Sequence, residues 1–467
     1  MNLSSQNMQI LYGFDQLPQT LILNPGEEVD YKSHIGVPLL SGVYADFGSS
    51  NRSVTYNSVL ANTDRAQDAI RNLYALDLKA TDIFSVNQRI EVLSAGFRLS
   101  DPSYYLSFGM YQEINMFSTY PKDFTDVFFN GDDQDGDGIP ETIDDGVVYG
   151  SEHMNTVGEL VGVFHIGLNK KLNEKWTLGA RFKLLSGSIG IETKKNKGNY
   201  YLSELQPPFE PYLHNFEDVD VVLNTSGLLD PFDLSSVVGD PDEVIAAMFF
   251  VGGNMGAALD LGFTHHLNED WELTGSLLDL GLVNYSQKLS EIELFDDLIS
   301  SETYYDPPFD DELDYWQEAK INGEIPLEAI AEGYMQLRAP KLNAAVKYTT
   351  ERLTKDRNSA YRNISCDTNI YNETLESSLG VQVYNEFRPQ NNLWAITGFY
   401  SRQITRYLSA KATYTYDKFS AKNIGLGFAL YIKSFNLYAT ADNLLDLPDV
   451  RNSNYQSFQF GMNVILN

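Results

Sequence analysis

One twelve-residue stretch has the residue types and spacing of a cation-binding loop: Asp133-Gln-Asp135-Gly-Asp137-Gly-Ile139-Pro-Glu141-Thr-Ile-Asp144. Asp at positions one, three and five, Gly at six and an acid at twelve reproduce the oxygen-ligand spacing of a calcium loop. Asp133, Asp135, Asp137 and Asp144 would supply carboxylates, Ile139 its backbone carbonyl, and Glu141 a direct or water-mediated contact. Gly136 and Gly138 permit the tight backbone path, and Pro140 stiffens its exit. The twelfth residue is Asp rather than Glu, and its shorter reach points to a site outside a helix-loop-helix frame. The plainer alternative is a solvated acidic turn, because Asp and Gly favour turns anyway. Calcium is the expected cofactor.

Catalytic chemistry has little to stand on. His34, His153, His165, His214, His265 and His266 lack the HExxH spacing of a zinc enzyme, and no GxSxG elbow occurs. His265 and His266 lie beside a tight turn and are expected to be interface residues rather than ligands. Cys366 is the only cysteine, so no intramolecular disulfide can form, and no lipobox precedes it. The chain is expected not to be an enzyme.

The elements that must carry these residues are strands. In Ser457-Phe-Gln-Phe-Gly-Met-Asn-Val-Ile-Leu-Asn467, Phe458, Phe460, Met462, Val464 and Leu466 point one way, while Ser457, Gln459, Gly461 and Asn463 point the other. One apolar and one polar face per strand is what a closed barrel in a membrane requires. Alternation and turn signals give about fourteen such segments, near 33–47, 84–99, 103–117, 157–171, 176–193, 252–267, 271–287, 339–350, 376–388, 392–402, 406–417, 422–433, 435–442 and 455–466. An even count returns both ends of the barrel chain to one side. The expected fold is all-β: a single transmembrane antiparallel β-barrel. Its lipid belt would include Leu178, Phe182, Leu426, Phe428, Phe460 and Val464.

Connection lengths alternate as a barrel demands. Short turns fall at 100–102, 173–175, 268–270, 403–406 and 434. Long connections near 48–83, 118–156, 194–251 and 288–338 share the other side, read as extracellular. The stretch 351–375 would be an unusually long turn on the periplasmic side. Helical spacing marks 62–75 and 240–250 within the long loops. Residues 1–32 form a separate unit ahead of the barrel at 33–467, and 11–14 and 17–23 are too apolar for a free tail. They are expected to plug the bore.

Two turns repeat, Leu172-Asn-Glu-Lys-Trp176 and Leu267-Asn-Glu-Asp-Trp271, each opening an alternating strand. Beyond each, the apolar phase flips: Leu184 gives way to Leu185, Ile189 and Ile191, and Leu277 to Leu278, Leu280 and Leu282. A flip signals an extra residue, hence a bulge. The inward faces would then carry Arg98, Glu113, Glu159, Arg181, Lys183, Asp260, Lys411 and Asp442, either as a polar path or as a salt-bridged filling.

Composition agrees. Aromatic residues make up 13% of the chain, with Tyr 29, Phe 26 and Trp 4, enough for girdles at both lipid interfaces. No run of about 18 apolar residues exists, which excludes helical spans, and the mean hydropathy of -0.27 is normal where half of every strand is polar. A net charge of -31 argues against nucleic acid, whose phosphates need a basic partner. It fits a solvated acidic exterior, or a face that holds divalent cations or bridges to lipopolysaccharide. Met1-Asn-Leu-Ser-Ser-Gln6 lacks a basic or apolar signal region, so a mature or re-started form is expected.

Five phrases together carry a family likeness: Leu21-Ile-Leu-Asn-Pro-Gly26, Gly275-Ser-Leu-Leu-Asp-Leu-Gly281, Ala412-Thr-Tyr-Thr-Tyr-Asp417, Asn423-Ile-Gly-Leu-Gly427 and Ala441-Asp-Asn-Leu-Leu445. In their order and spacing the chain resembles a family of Bacteroidota outer-membrane barrels of unknown function with a FadL-like fold, and more distantly the barrel subunits of the type IX secretion system. The resemblance implies fourteen strands, bulged walls, an N-terminal plug and an outer-membrane location. Two functions follow as expectations. One is FadL-like transport of a small or hydrophobic solute. The alternative is a non-transporting barrel subunit of a secretion or assembly complex, with outer-membrane or periplasmic protein partners.

Overall fold

In a computed structural model, the structure of the protein describes residues 8–59, 72, 76, 78–120, 122–123, 148–204, 212–227, 254–286, 289–294, 299–300, 327–330, 333–355, 373–388, 392–405, 407–417, 419 and 422–466. Period-two alternation becomes a closed antiparallel barrel of fourteen strands. They are β1 (Ser33–Gly36, resumed at Val43–Ser49), β2 (Ile83–Arg98), β3 (Tyr104–Thr119), β4 (Thr156–Lys171), β5 (Trp176–Glu204), β6 (Asn254–His266) and β7 (Trp271–Tyr285). The remainder are β8 (Tyr334–Leu337, resumed at Lys341–Lys355), β9 (Glu373–Glu386), β10 (Leu393–Thr405), β11 (Leu408–Tyr416), β12 (Asn423–Ile432), β13 (Phe435–Asp442) and β14 (Tyr455–Leu466). Pairing of β14 with β1, from Ser33↔Leu466 to Gly48↔Tyr455, closes the ring and leaves no free edge.

Leu178, Phe182, Phe428 and Phe460 are exposed on the outer wall, as are Phe108, Ile166 and Val381. An apolar belt of that extent on a folded surface belongs in lipid, with every backbone group paired inside the ring. Among the described residues no helix is long and apolar enough to cross a membrane.

The two repeated turns are built alike. The Asn173 side-chain oxygen accepts from the amides of Lys175 (2.8 Å) and Trp176 (2.9 Å), and Asn268 does the same for Asp270 and Trp271 (both 2.9 Å). Each Asx turn delivers a Trp to the rim of the apolar belt, where an amphipathic ring is stabilised.

The wall departs from regularity where the phase flips. In β7 the pairing with β6 jumps from Leu277↔Leu261 to Leu280↔Leu259, leaving Leu278 and Asp279 as a bulge, with Asp279 at φ 60°. In β5 the shift falls at Ser188 rather than at the Leu184–Leu185 step: Leu185 simply faces inward, and the pairing with β4 skips between Gly187 and Ile189. There β5 also changes partner. It pairs with β6 up to Gly187↔Asn254, then from Gly190↔Ser226 with a further strand, Tyr212–Ser226. That strand pairs with Leu289–Leu294, which pairs with Leu327–Ile330.

Three expectations change accordingly. The regions 194–251 and 288–338 are not merely loops, because they extend the wall with paired strands. The turn at 351–375 shrinks, since β8 and β9 stay paired as far as Lys355↔Glu373. The first strand is interrupted: between Gly36↔Asn463 and Val43↔Phe460 it carries residues 37–42 against 461–462, a turn presenting Leu39 and Leu40 outward. The predicted helices at 62–75 and 240–250 fall almost wholly outside the described residues.

Candidate functional site in the bore

Residues 8–31 are held by inward-facing side chains of the wall, and their backbone carbonyls are the anchor points. Arg181 donates to the carbonyls of Leu21 (2.9 Å) and Ile22 (2.5 Å), in the single helical turn Thr20–Leu23. A helix end leaves carbonyls without partners, and a guanidinium satisfies two at once. Ser276 donates to Leu23 (2.6 Å), Asn169 to Pro25 (2.9 Å) and Glu27 (2.8 Å), Lys411 to Tyr12 and Tyr431 to Gln16. Gln19 and Asn463 exchange amide hydrogen bonds, 2.9 Å each way. Leu11, Tyr12, Phe14, Leu17 and Leu23 bury themselves against Tyr44, Phe399 and Tyr438 of the inner wall.

The Asn24-Pro-Gly26 turn approaches the wall backbone to backbone. A Cβ on Gly179 would fall 1.9 Å from the Pro25 carbonyl oxygen, and one on Gly262 would fall 2.1 Å from the Asn24 side-chain oxygen. Glycine is required at both by proximity, not by conformation. At the rim His266 corrects its sequence reading: it pairs with Glu28 (3.1 Å), which also meets Lys171 (3.2 Å), so it fastens the segment. His265 stacks on Trp176 with ring centroids 3.9 Å apart. Burial opposes ionisation of Glu28, but His266 and Lys171 outweigh it and hold its pKa below the usual carboxylate value. Burial pushes its neighbour Glu27 well above that value.

Above this segment the inner wall divides into two regions. On β2–β8 the central charges are paired, while Glu91 takes the Gln19 amide at 3.2 Å. Asp260 accepts from Arg181 (2.5 Å) and Lys183 (2.9 Å), and its other oxygen takes the Asp279 amide at 2.7 Å. The bulge turns Asp279 inward, where it meets Lys183 (2.7 Å), Lys341 (3.2 Å) and Arg338 (3.5 Å). Arg338 continues to Glu113 and Glu159 (3.2 Å), and Glu113 to Arg89 (3.0 Å). Beside this chain lies an apolar patch of Val161, Val163, Leu185, Ala258, Val283 and Tyr285, close to both wall irregularities.

The sequence placed Glu113, Glu159, Arg181, Lys183 and Asp260 on the inner face, and the structure joins them in one network. Arg98 sits apart at the rim, donating to the Tyr31 carbonyl (3.2 Å). The missed members are Arg89, Asp279, Arg338 and Lys341. Lys411 and Asp442 stand on the opposite arc, β11–β14 and β1, where Asp46 joins them. There Asp46 accepts from Asn87 (2.9 Å) and Tyr44, and among the described residues neither Asp46 nor Asp442 meets a cation.

The calcium-loop residues Asp133, Asp135, Asp137, Ile139, Glu141 and Asp144 lie outside the described residues. Among the described residues no group of three His, Cys, Asp or Glu side chains could hold a metal ion.

The model of a family of unknown function, DUF5723, matches residues 25–442. The chain belongs to that family. No curated protein matches it. Among solved structures it is similar to a Pseudomonas aeruginosa FadL homologue, at 9% identity and a TM-score of 0.41 over all of both chains. It is also similar to the Ralstonia pickettii toluene transporter TbuX, at 9% identity and a TM-score of 0.40, covering 99% of this chain and 95% of that one. The Pseudomonas putida toluene transporter TodX is 9% identical, with a TM-score of 0.35 over 99% and 94%. Residues of the phrases that carried the resemblance line the bore: Asn24-Pro-Gly26 is the seated turn, Ser276 and Asp279 hold the segment and the network, and Thr413, Gly425 and Asp442 form the opposite arc.

Proposed function

We propose that this protein is an outer-membrane channel, closed at rest by residues 8–31, that moves a small solute with an apolar part. The observation that carries this reading is how the bore is filled. The segment is held by side-chain hydrogen bonds to its carbonyls and by packing, and it takes no part in the strand ladder that closes the ring. It can therefore leave without opening the wall. The apolar patch of Val161, Leu185 and Val283 beside the bulge supports a solute that is not purely polar.

On this reading the short turns face the periplasm and the long connections face outward, where lipid and lipopolysaccharide surround the wall. Planar-bilayer recording tests it: the intact chain should conduct little, and a folded barrel lacking residues 8–31 should conduct steadily. Large conductance from the intact chain, or silence from the deleted one, contradicts it. Stoichiometric co-purification of other membrane proteins in mild detergent would instead favour a complex subunit. The calcium proposal rests on the spacing of Asp133 to Asp144. It predicts that chelation raises protease sensitivity near 133–144, and that Asp135→Asn with Asp137→Asn abolishes the protection.

A further inference from the structure

The arc opposite the paired network carries the buried carboxylates Asp46 and Asp442, and its one buried cation among the described residues, Lys411 of β11, donates to the Tyr12 carbonyl rather than to either of them. Strand register sets Asn87, Asp46, Ser457 and Asp442 side by side on the inner faces of β2, β1, β14 and β13. The row continues through Gly425 of β12 to Thr413 of β11. A Cβ on Gly425 would lie 2.4 Å from both the Asp442 Oδ1 and the Thr413 Oγ1 atoms, so these two oxygens converge on the hollow that the glycine leaves. Neither has a hydrogen-bond partner, although Asp442 and Thr413 are each 3% exposed. One layer further along β14, the Tyr455 hydroxyl is also buried and unpartnered. It lies within electrostatic reach of both Asp46 and Asp442.

We propose that this arc is a binding site for a primary ammonium group, held by the vacant oxygens of Asp442, Thr413 and Tyr455, with the Asp46 carboxylate as a second negative charge beside them. Buried carboxylates without counter-charges are costly, and a cation removes that cost. Four features select an organic ammonium over a metal ion. The vacant positions are oxygen acceptors or hydroxyls, which match the three N–H donors of an ammonium. They are too few for calcium, which takes six to eight oxygens. Tyr455 stacks on Phe419 with centroids 5.4 Å apart, and Tyr44 flanks Asp46, so aromatic surface borders the site. The side chain of Ile10, from the segment that fills the bore, also reaches the Gly425 hollow, giving the alkyl part of an amine an apolar neighbour.

The site is a property of the inner wall, and its test is independent of whether any solute crosses. The intact chain in detergent is titrated calorimetrically with n-butylamine at neutral pH and low salt, and n-butanol and calcium chloride serve as controls. Saturable butylamine binding is expected, with no saturable butanol binding and no competition from equimolar calcium. Asp46→Asn with Asp442→Asn should weaken the amine by at least about tenfold, the scale of losing one charged hydrogen bond. Thr413→Val, which keeps both carboxylates, should weaken it less and serves as the readout if the double variant fails to fold. Absence of butylamine binding overturns the proposal, as does equal binding of butanol, displacement by calcium, or unchanged affinity in a folded variant.

Discussion

The two arcs of the inner wall use the same residue types to opposite ends. On β2–β8 the carboxylates at the centre of the wall meet cations: Asp260 holds Arg181 and Lys183, Asp279 holds three, and Glu113 bridges Arg89 and Arg338, while Glu91 accepts from the neutral Gln19 amide. On β11–β14 and β1, Asp46 and Asp442 have only neutral donors, and buried oxygens remain vacant. Carboxylates that already hold cations cannot take a further cation without giving one up. Those without a cation are incomplete until something arrives. The first arc therefore reads as framework and the second as a binding surface.

The sharpest way to break this contrast is to remove one charge from each side. Arg338→Ala leaves Glu113, Glu159 and Asp279 short of a buried counter-charge and should cost about 3–5 kcal/mol in denaturant unfolding. Asp442→Asn removes a charge that no described side chain balances and should leave stability unchanged or raise it. Equal losses from both would erase the distinction. The outer wall supplies a scale for these numbers. Phe428→Arg, near the middle of the apolar belt, should cost about 2–4 kcal/mol when refolding into bilayers is measured.

Smaller effects come from the segment between the two arcs. Gly179→Ala pushes a methyl group into the Pro25 carbonyl, an overpacking of about 1–3 kcal/mol that should free residues 8–31 and raise conductance while the barrel stays folded. Its pH dependence has two limbs. Glu28, whose pKa is lowered in the docked state, favours docking above the usual carboxylate pKa, and this is lost as pH falls through its lowered value. Glu27, whose pKa is raised by burial, permits docking fully at low pH and opposes it as pH rises through its raised value. Protease access to residues 8–31 should therefore increase towards both extremes. Glu27→Gln should remove the alkaline limb alone.

The strands and their facing were legible in the sequence because alternation is a local signal, and Phe458 to Val464 carry it without a fault. The β7 bulge was legible for the same reason, as the phase slip from Leu277 to Leu278. What that bulge does was not. Asp279 turns inward only because its backbone adopts a positive φ, and period-two counting does not foresee that. Arg338 and Lys341 flank Pro340 in the break between the two parts of β8, where alternation is interrupted. Tyr212–Ser226 was missed because a sequence such as Asn215-Phe-Glu-Asp-Val-Asp220 reads as a polar loop, with Asp218 at positive φ interrupting it. Asp442 was placed on the inner face, but its lack of a cation depends on what β12 and β14 set beside it, which only the folded wall supplies.

The contrast between the arcs is tested most directly by ion selectivity. A folded barrel lacking residues 8–31 is set between unequal potassium chloride solutions, and its reversal potential is measured with and without Asp46→Asn plus Asp442→Asn. Because Asp46 and Asp442 are two carboxylates without ion-pair partners against the single Lys411 on that arc, the barrel should select cations, and the double variant should lose most of that preference. An anion-selective or unselective parent, or a preference untouched by the two substitutions, would contradict the account.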